Sequence, residues 1–324
     1  MTFAHAGSSD RIPVVLGMYP LGWTGNQITF EGEIWPMEAW SGKPLSIVGT
    51  FLNVEESDPS ASVTDHLNLI WYKGYTPFIN LETTRTASQI ATGKYDASLR
   101  AWADAFKTYA LGGGGRMAFI APLPEMNGYW VPYGQDPANF ILAYKHIQQI
   151  FANRGVPDGA VRWVFAPNGW TKPEHDFEGY YPGNAYVDVL AFSAYNFGRH
   201  PFNSYPEWQD PAAVFNNYLG RMTALAPTKP IFISQTATTA HLVSGIENTG
   251  AKNTWLRDAY ALLSAYPNLR AIIYFNKTGE VDWPIYVPGD PGHQYQGYVD
   301  GVANLLIGYM SPIQMKETYL SIQR

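Results

Sequence analysis

The chain has 324 residues, of which 15% are charged and 15% aromatic, with 11 Trp, 22 Tyr and 16 Phe. That length suits one α/β barrel with insertions or two smaller domains, and the aromatic content excludes a disordered chain. Lys and Arg number 21 against 27 Asp and Glu, a formal charge of -6 with no basic run, so neither nucleic acid nor an anionic membrane is an expected partner.

Cysteine is absent, which removes disulfides, thiolate metal sites and cysteine nucleophiles. Met1 to Asp10 has neither a charged n-region nor an apolar h-region, so no signal peptide is read there. No apolar run approaches the roughly 18 residues of a membrane span. The seven histidines show neither HExxH nor HxH spacing, so no metal and no cofactor are expected.

Eight apolar runs in chain order predict strands. They are Val14–Tyr19, Leu45–Leu52, Thr76–Leu81, Arg116–Ala121, Val161–Ala166, Val187–Ala194, Pro230–Ser234 and Ala271–Phe275. Several are continuous rather than alternating, as strands buried on both faces require. Helical periodicity lies between them at Ala97–Leu111, Asn139–Asn153 and Ala251–Ala265. Asp136-Pro137 and Asp210-Pro211 are helix starts, with Asp as the cap and Pro in the first turn. Strands alternating with helices predict a single (β/α)8 barrel over residues 1–324, with a leader or stub at 1–12 and a tail at 311–324. A doubly wound sheet is the alternative, but no GxGxxG follows any strand.

Barrel chemistry sits at the carboxyl ends of the strands. Those ends carry Asn53, Glu82, Glu125, Asn127, Asn168, Tyr195, Asn196, Gln235 and Asn276, and Trp23, Trp130, Trp170 and Trp283 follow closely. Amides and carboxylates beside indole faces suit sugars, whose hydroxyls need hydrogen bonds and whose C–H faces pack on rings. Two long loops, Pro20–Pro44 and Asn276–Gln296, are rich in aromatics, and loops of that length usually carry function. The sharpest segment is APLPEMNGYWVPYG, residues 121–134. A carboxyl at Glu125, among aromatics and an amide, has the setting of a general acid. Its bland alternative is a salt bridge, for which Arg116 is the nearest cation in sequence. Glu82 is read either as a sugar ligand or as a partner of Arg85.

Five segments, GRMAFIAPLPEMNGYWVPYG, VRWVFAPNGW, YYPGNAYVDVLAFSAYN, KPIFISQTA and YFNKTGEVDWPI, run in order along the chain after VVLGMYP. Together they resemble glycoside hydrolase family 26, chiefly β-mannanases with some lichenases and xylanases. The resemblance implies a (β/α)8 barrel that hydrolyses β-1,4-linked polysaccharide with retention. It implies Glu125 as acid/base, Trp130 as a wall of the cleft, Tyr195 as the residue that hydrogen-bonds the nucleophile, and Trp283 as a sugar platform. The sequence departs from the family at two places. Gln235 stands where the nucleophile Glu should end the seventh strand, and Pro124 stands where His commonly precedes the acid/base. The expected partner is a poly- or oligosaccharide, the expected state a secreted monomer, and the expected activity of this chain nearly nil. Asn127, Asn168, Trp170, Trp23, Glu82, Asn196 and Asn276 are the further expected substrate contacts.

Two readings of Gln235 stand side by side. It is an inactivated nucleophile in an enzyme, or the natural residue of a carbohydrate-binding pseudoenzyme. A barrel of aldolase type lacks a strand-end lysine; Lys277 is its only candidate.

Overall fold

A computed structural model describes residues 12–22, 29–170, 176–279 and 281–321. Eight parallel strands follow one another in sequence order and in space. They are β1 (Val14–Tyr19), β2 (Ile47–Asn53), β3 (Thr76–Glu82), β4 (Ala118–Pro122), β5 (Val161–Phe165), β6 (Val189–Asn196), β7 (Ile231–Thr238) and β8 (Leu269–Phe275). Five register pairs from Val15↔Ala271 to Tyr19↔Phe275 join β1 to β8 and close the barrel. A closed sheet leaves no unpaired edge, and both faces of each strand are covered. All eight residues of β7 are accordingly buried.

The predicted caps form as the sequence dictates. Asp136 Oδ1 accepts from the Asn139 N–H at 3.2 Å, and Asp210 Oδ1 accepts from the Ala213 N–H at 2.8 Å. Each starts a long helix with proline at the first turn, Pro137–Asn153 and Pro211–Leu225. The other periodic stretches fold as helices Asp96–Leu111 and Thr249–Ala265. Among the described residues, the β5–β6 connection holds only the short turn Glu178–Tyr180, so one barrel unit departs from strict alternation.

Phe78, Phe119 and Phe232 fill the barrel interior. The tail expected at 311–324 contains a helix, Pro312–Ser321, whose Tyr319 meets Phe119 edge-on at 5.1 Å and Phe232 at 5.6 Å. Both phenylalanines lie at the start of their strands, so this helix plugs the end opposite the expected site. At the other end, Tyr19, Phe51 and Phe275 make an aromatic floor, with ring separations of 5.1, 5.8 and 6.2 Å. Gly49 permits it: a Cβ there would lie 2.5 Å from the Tyr19 ring. None of the described helices is long and apolar enough to cross a membrane.

Candidate active site

A cleft of about 590 Å³ opens above this floor, lined by Glu125, Gln235, Tyr195, Asn168 and several aromatic rings. The chain leaving β4 is contorted there. Leu123 and Glu125 both have positive φ, 53° and 59°, which non-glycine residues adopt at a cost of about 1–3 kcal/mol each. Two ladder-like bonds hold it, Leu123 N–H to Leu81 O at 2.9 Å and Glu125 N–H to Ala166 O at 2.8 Å.

That bend aims the Glu125 carboxylate at three donors. The Asn168 amide donates to Oε1 at 3.0 Å and the Ser193 hydroxyl to the same oxygen at 2.5 Å. The Trp130 indole N–H donates to Oε2 at 2.8 Å. No arginine or lysine is among these partners, so the salt-bridge alternative for Glu125 is replaced by neutral donors. Neutral donors orient a carboxyl while leaving it able to take up and release a proton.

Gln235 sits on β7, 5% exposed, and its Oε1 accepts from the Tyr195 hydroxyl at 2.8 Å. Its direction depends on an irregularity in the sheet. Phe192↔Ile233 is followed by Ser193↔Gln235 on one side of β7, and Ile233↔Ile272 by Thr236↔Tyr274 on the other. One extra residue, at Ser234, therefore interrupts the alternation from both neighbours. Such a bulge re-aims the side chain that follows it.

The remaining sequence-expected residues divide into two groups. Trp130 and Trp170 line the cleft, their rings 5.7 Å apart. Three strand-end amides instead spend their polar atoms on the protein. The Asn127 side chain donates to the Asn168 carbonyl and accepts the Asn168 N–H, both at 2.8 Å. Asn196 donates to Thr238 and accepts from the Gly198 and Gln209 N–H groups. Asn276 donates to the Tyr286 carbonyl and accepts from Ile285 and Tyr286 N–H. These clamps fix the loops around the cleft. Trp283 is 7% exposed, its ring packed on Tyr195 at 5.4 Å and Phe197 at 4.9 Å. Trp23 lies outside the described residues.

Arg85 pairs with Glu55 at 3.0 Å, and not with Glu82. Glu82 is half-buried, and burial, with a smaller push from the Glu125 charge, raises its carboxyl to about 7.

Sequence reasoning missed Ser193. Strand alternation offered a signal, because Ser193 lies two residues before Tyr195 and so shares its face. It also missed the support beneath Trp283. Lys252, fully buried, donates to the carbonyls of Asp282, Trp283 (3.3 Å) and Pro284 (3.1 Å). The Asp282 carboxylate accepts from the Thr239 hydroxyl and the Ala240 N–H. His200, His241 and Asp282 place ligand-type atoms within 4.8 Å of one another. Asp282 is committed to Thr239 and Ala240 and lies 3.7 Å from the Lys252 ammonium, while His200 Nδ1 accepts the Phe202 N–H. The donor set is thus engaged in holding loops and fits a cation poorly.

The family model for glycosyl hydrolase family 26 matches residues 116–272, the stretch from the strand before Glu125 through β7 into β8. The match covers the core of the chain, just under half of its length. Over 286 residues, 83% of the chain, it is 28% identical to Endoglucanase H of Acetivibrio thermocellus. It is 30% identical over 120 residues, 34% of the chain, to Mannan endo-1,4-beta-mannosidase A and B of Caldalkalibacillus mannanilyticus. The aligned regions span only 29% and 20% of those two relatives. Among solved structures, the family 26 endo-beta-1,4-mannanase catalytic domain of Bacillus sp. JAMB-750 superposes with a TM-score of 0.66 at 14% identity, covering 95% of this chain and 90% of that one. The family 26 beta-mannanase of Bacteroides ovatus gives 0.65 at 14% identity, over 93% and 91%. These likenesses establish the barrel fold.

Proposed function

We propose that the family 26 core is the catalytic unit of an endo-acting, retaining glycosidase of the β-mannanase type. Its substrate is a β-1,4-linked polysaccharide, and in this chain the nucleophile's seat is filled by Gln235. One observation carries the reading: Glu125, oriented by three neutral donors, shares a cleft with position 235, whose side chain accepts a hydrogen bond from Tyr195.

With a carboxylate at 235 the steps balance simply. The carboxylate attacks the anomeric carbon as Glu125 gives its proton to the glycosidic oxygen, and the C–O bond breaks. Water then displaces the carboxylate as Glu125 takes a proton from it, which regenerates both groups and retains the anomeric configuration. The amide of Gln235 carries no charge to steady the oxocarbenium-like transition state and forms no ester. As it stands, the chain binds its saccharide and turns it over very slowly. A secreted monomer completes the reading, because polymeric substrates are met outside the cell.

Restoring the carboxylate tests this. Gln235→Glu protein is assayed on mannan, mixed-linkage glucan and xylan, with NMR of the first product for anomeric configuration. Hydrolysis with retention supports the reading and identifies the polymer. A folded variant that binds saccharide and cleaves none of the three supports a natural carbohydrate-binding protein instead.

A further inference from the structure

A second cavity, of about 250 Å³, lies outside the barrel at the start of β5, the opposite end of that strand from Asn168. Val161 and Trp163 alternate onto the outer face of β5 and line it, and the Trp163 ring meets Phe151 edge-on at 5.1 Å. Among the described residues, Glu178–Tyr180 is all the helix that the chain offers between β5 and β6. The outer layer is thin there, and the cavity occupies the gap between the helix Pro137–Asn153 and the segment carrying Ala185 and Tyr186.

Its walls are fixed before any ligand arrives. The Tyr186 carbonyl accepts from the Gln148 amide at 2.7 Å, and the Tyr186 N–H donates to the Gly183 carbonyl at 3.0 Å. The Lys145 ammonium stands 4.5 Å from the centre of the Tyr186 ring. Tyr186 is nevertheless 37% exposed. In the turn after the helix, the Val156 N–H donates to the Phe151 carbonyl at 3.1 Å and the Ala160 N–H to the Pro157 carbonyl at 3.0 Å. Gly159 in that turn has φ 78°, and a Cβ there would lie 2.6 Å from Leu320 of the helix Pro312–Ser321. Preformed walls bind with little ordering cost.

The lining selects the ligand. A dry void is apolar, whereas Lys145, Gln148 and Asp158 line this cavity. Among the described residues, the Gln148 side-chain oxygen and the Asp158 carboxylate accept no hydrogen bond, and the Lys145 ammonium has no partner beyond the Tyr186 ring. One cation and one anion leave the lining without net charge, which favours a neutral ligand over an ion. A ring whose hydroxyls donate to Asp158 and Gln148 and accept from Lys145, with a C–H face for Tyr186, satisfies each of these groups. The volume is below the roughly 300–1,000 Å³ of drug-sized sites, so one ring fits and not a chain. We propose that this cavity is a second saccharide site, remote from the cleft, that seats a single neutral pyranose at a chain end or a one-sugar branch of the polysaccharide. That the pyranose belongs to the polymer received by the cleft rests on the glycosidase reading above.

The test uses the chain as it is, followed by NMR while methyl glycosides of mannose, glucose, galactose and xylose are added into the millimolar range. At least one should shift the Gln148 side-chain amide and the Trp163 indole signals saturably. Tyr186→Ala and Asp158→Ala should each weaken that site about tenfold, and slow the chain less than the parent is slowed in gels containing the polysaccharide. Both should leave unchanged the shifts that manno- and cello-oligosaccharides produce at Ser193 and Tyr195. Both side chains are exposed, and equal melting temperatures verify the fold. Asp158→Asn, which keeps the shape and removes the charge, gives the same comparison if a truncation misfolds. No saturable response at Gln148 and Trp163, or equal affinity in parent and variants, overturns the site and leaves the glycosidase reading standing. A response at the cavity with none at Ser193 and Tyr195 to any oligosaccharide sustains the site and overturns the glycosidase reading instead.

Discussion

The Tyr195 hydroxyl donates to Gln235 Oε1 at 2.8 Å, which leaves the amide nitrogen of Gln235 as the end without that partner. A glutamate at 235 accepts the same bond through one oxygen, and its second oxygen takes the place of the NH2 group. The hydrogen bond therefore survives the exchange, and only charge and nucleophilicity change. Gln235→Glu should raise kcat on the cognate polysaccharide by about 10⁴–10⁶, the scale of nucleophile deletions read in reverse. Tyr195→Phe in that background should lower kcat more than it alters KM. Reducing-sugar release measures both, and a rise of less than about tenfold would count against position 235 as the nucleophile's seat.

Glu125 should behave as a proton donor. In the Gln235→Glu background, Glu125→Ala should cripple turnover of polysaccharide yet spare the first step on an aryl glycoside with a good leaving group, which departs without protonation. Ser193→Ala removes one donor to the carboxylate. A hydrogen bond to a charged group contributes about 1.5–3 kcal/mol, so kcat on polysaccharide should fall by roughly 10–100-fold with little change in KM. Equal losses on both substrate types in the Glu125 variant would mark the residue as a scaffold for Asn168 and Ser193.

Lys252 fixes the segment that carries Trp283, and through Trp283 the ring of Tyr195. Replacing it by Met leaves three carbonyls and the Asp282 carboxylate in a buried site without their cation. Losing one member of a buried pair costs about 3–5 kcal/mol. Urea unfolding of Lys252→Met should show that loss as a lower midpoint at unchanged slope. An unchanged midpoint would mean that the carbonyls are satisfied without Lys252.

Much of the scaffold was legible because parallel strands buried on both faces read as largely apolar runs, and each of the eight predicted runs overlaps one barrel strand. The Asp-Pro pairs at 136 and 210 marked helix starts because the cap and the first-turn proline act within four residues of chain. Glu125, Tyr195 and Gln235 could be placed at strand ends for the same local reason. What escaped depends on partners far along the chain. The strand-end amides Asn127, Asn196 and Asn276 have the right chemistry for sugars, but only the folded loops reveal that backbone groups already satisfy them. The extra residue at Ser234 is defined by register against β6 and β8, which no single strand's sequence records. Lys252 looks like a surface lysine on its helix until the 282–284 carbonyls close over it.

Glu82 supplies a pH dependence whose sign can be worked out. Burial, with the Glu125 charge as the lesser cause, raises its carboxyl from 4.5 to about 7 in the fold. Between those values the native state keeps the proton and the unfolded chain has lost it, so the native state binds more protons. Stability must then fall as pH rises through the window. The contribution is complete below pH 4.5 and gone above pH 7. Glu82→Gln holds a neutral group of the same shape at all pH values, so it removes this slope. Urea midpoints of the two proteins, followed from pH 4.5 to above 7 in one buffer series, should diverge steadily, with the Gln variant gaining on the parent at the upper end. The Glu125→Gln protein should keep most of the slope, because burial is the larger cause and remains. Parallel midpoint curves for the parent and Glu82→Gln would show that Glu82 titrates alike in the folded and unfolded chains.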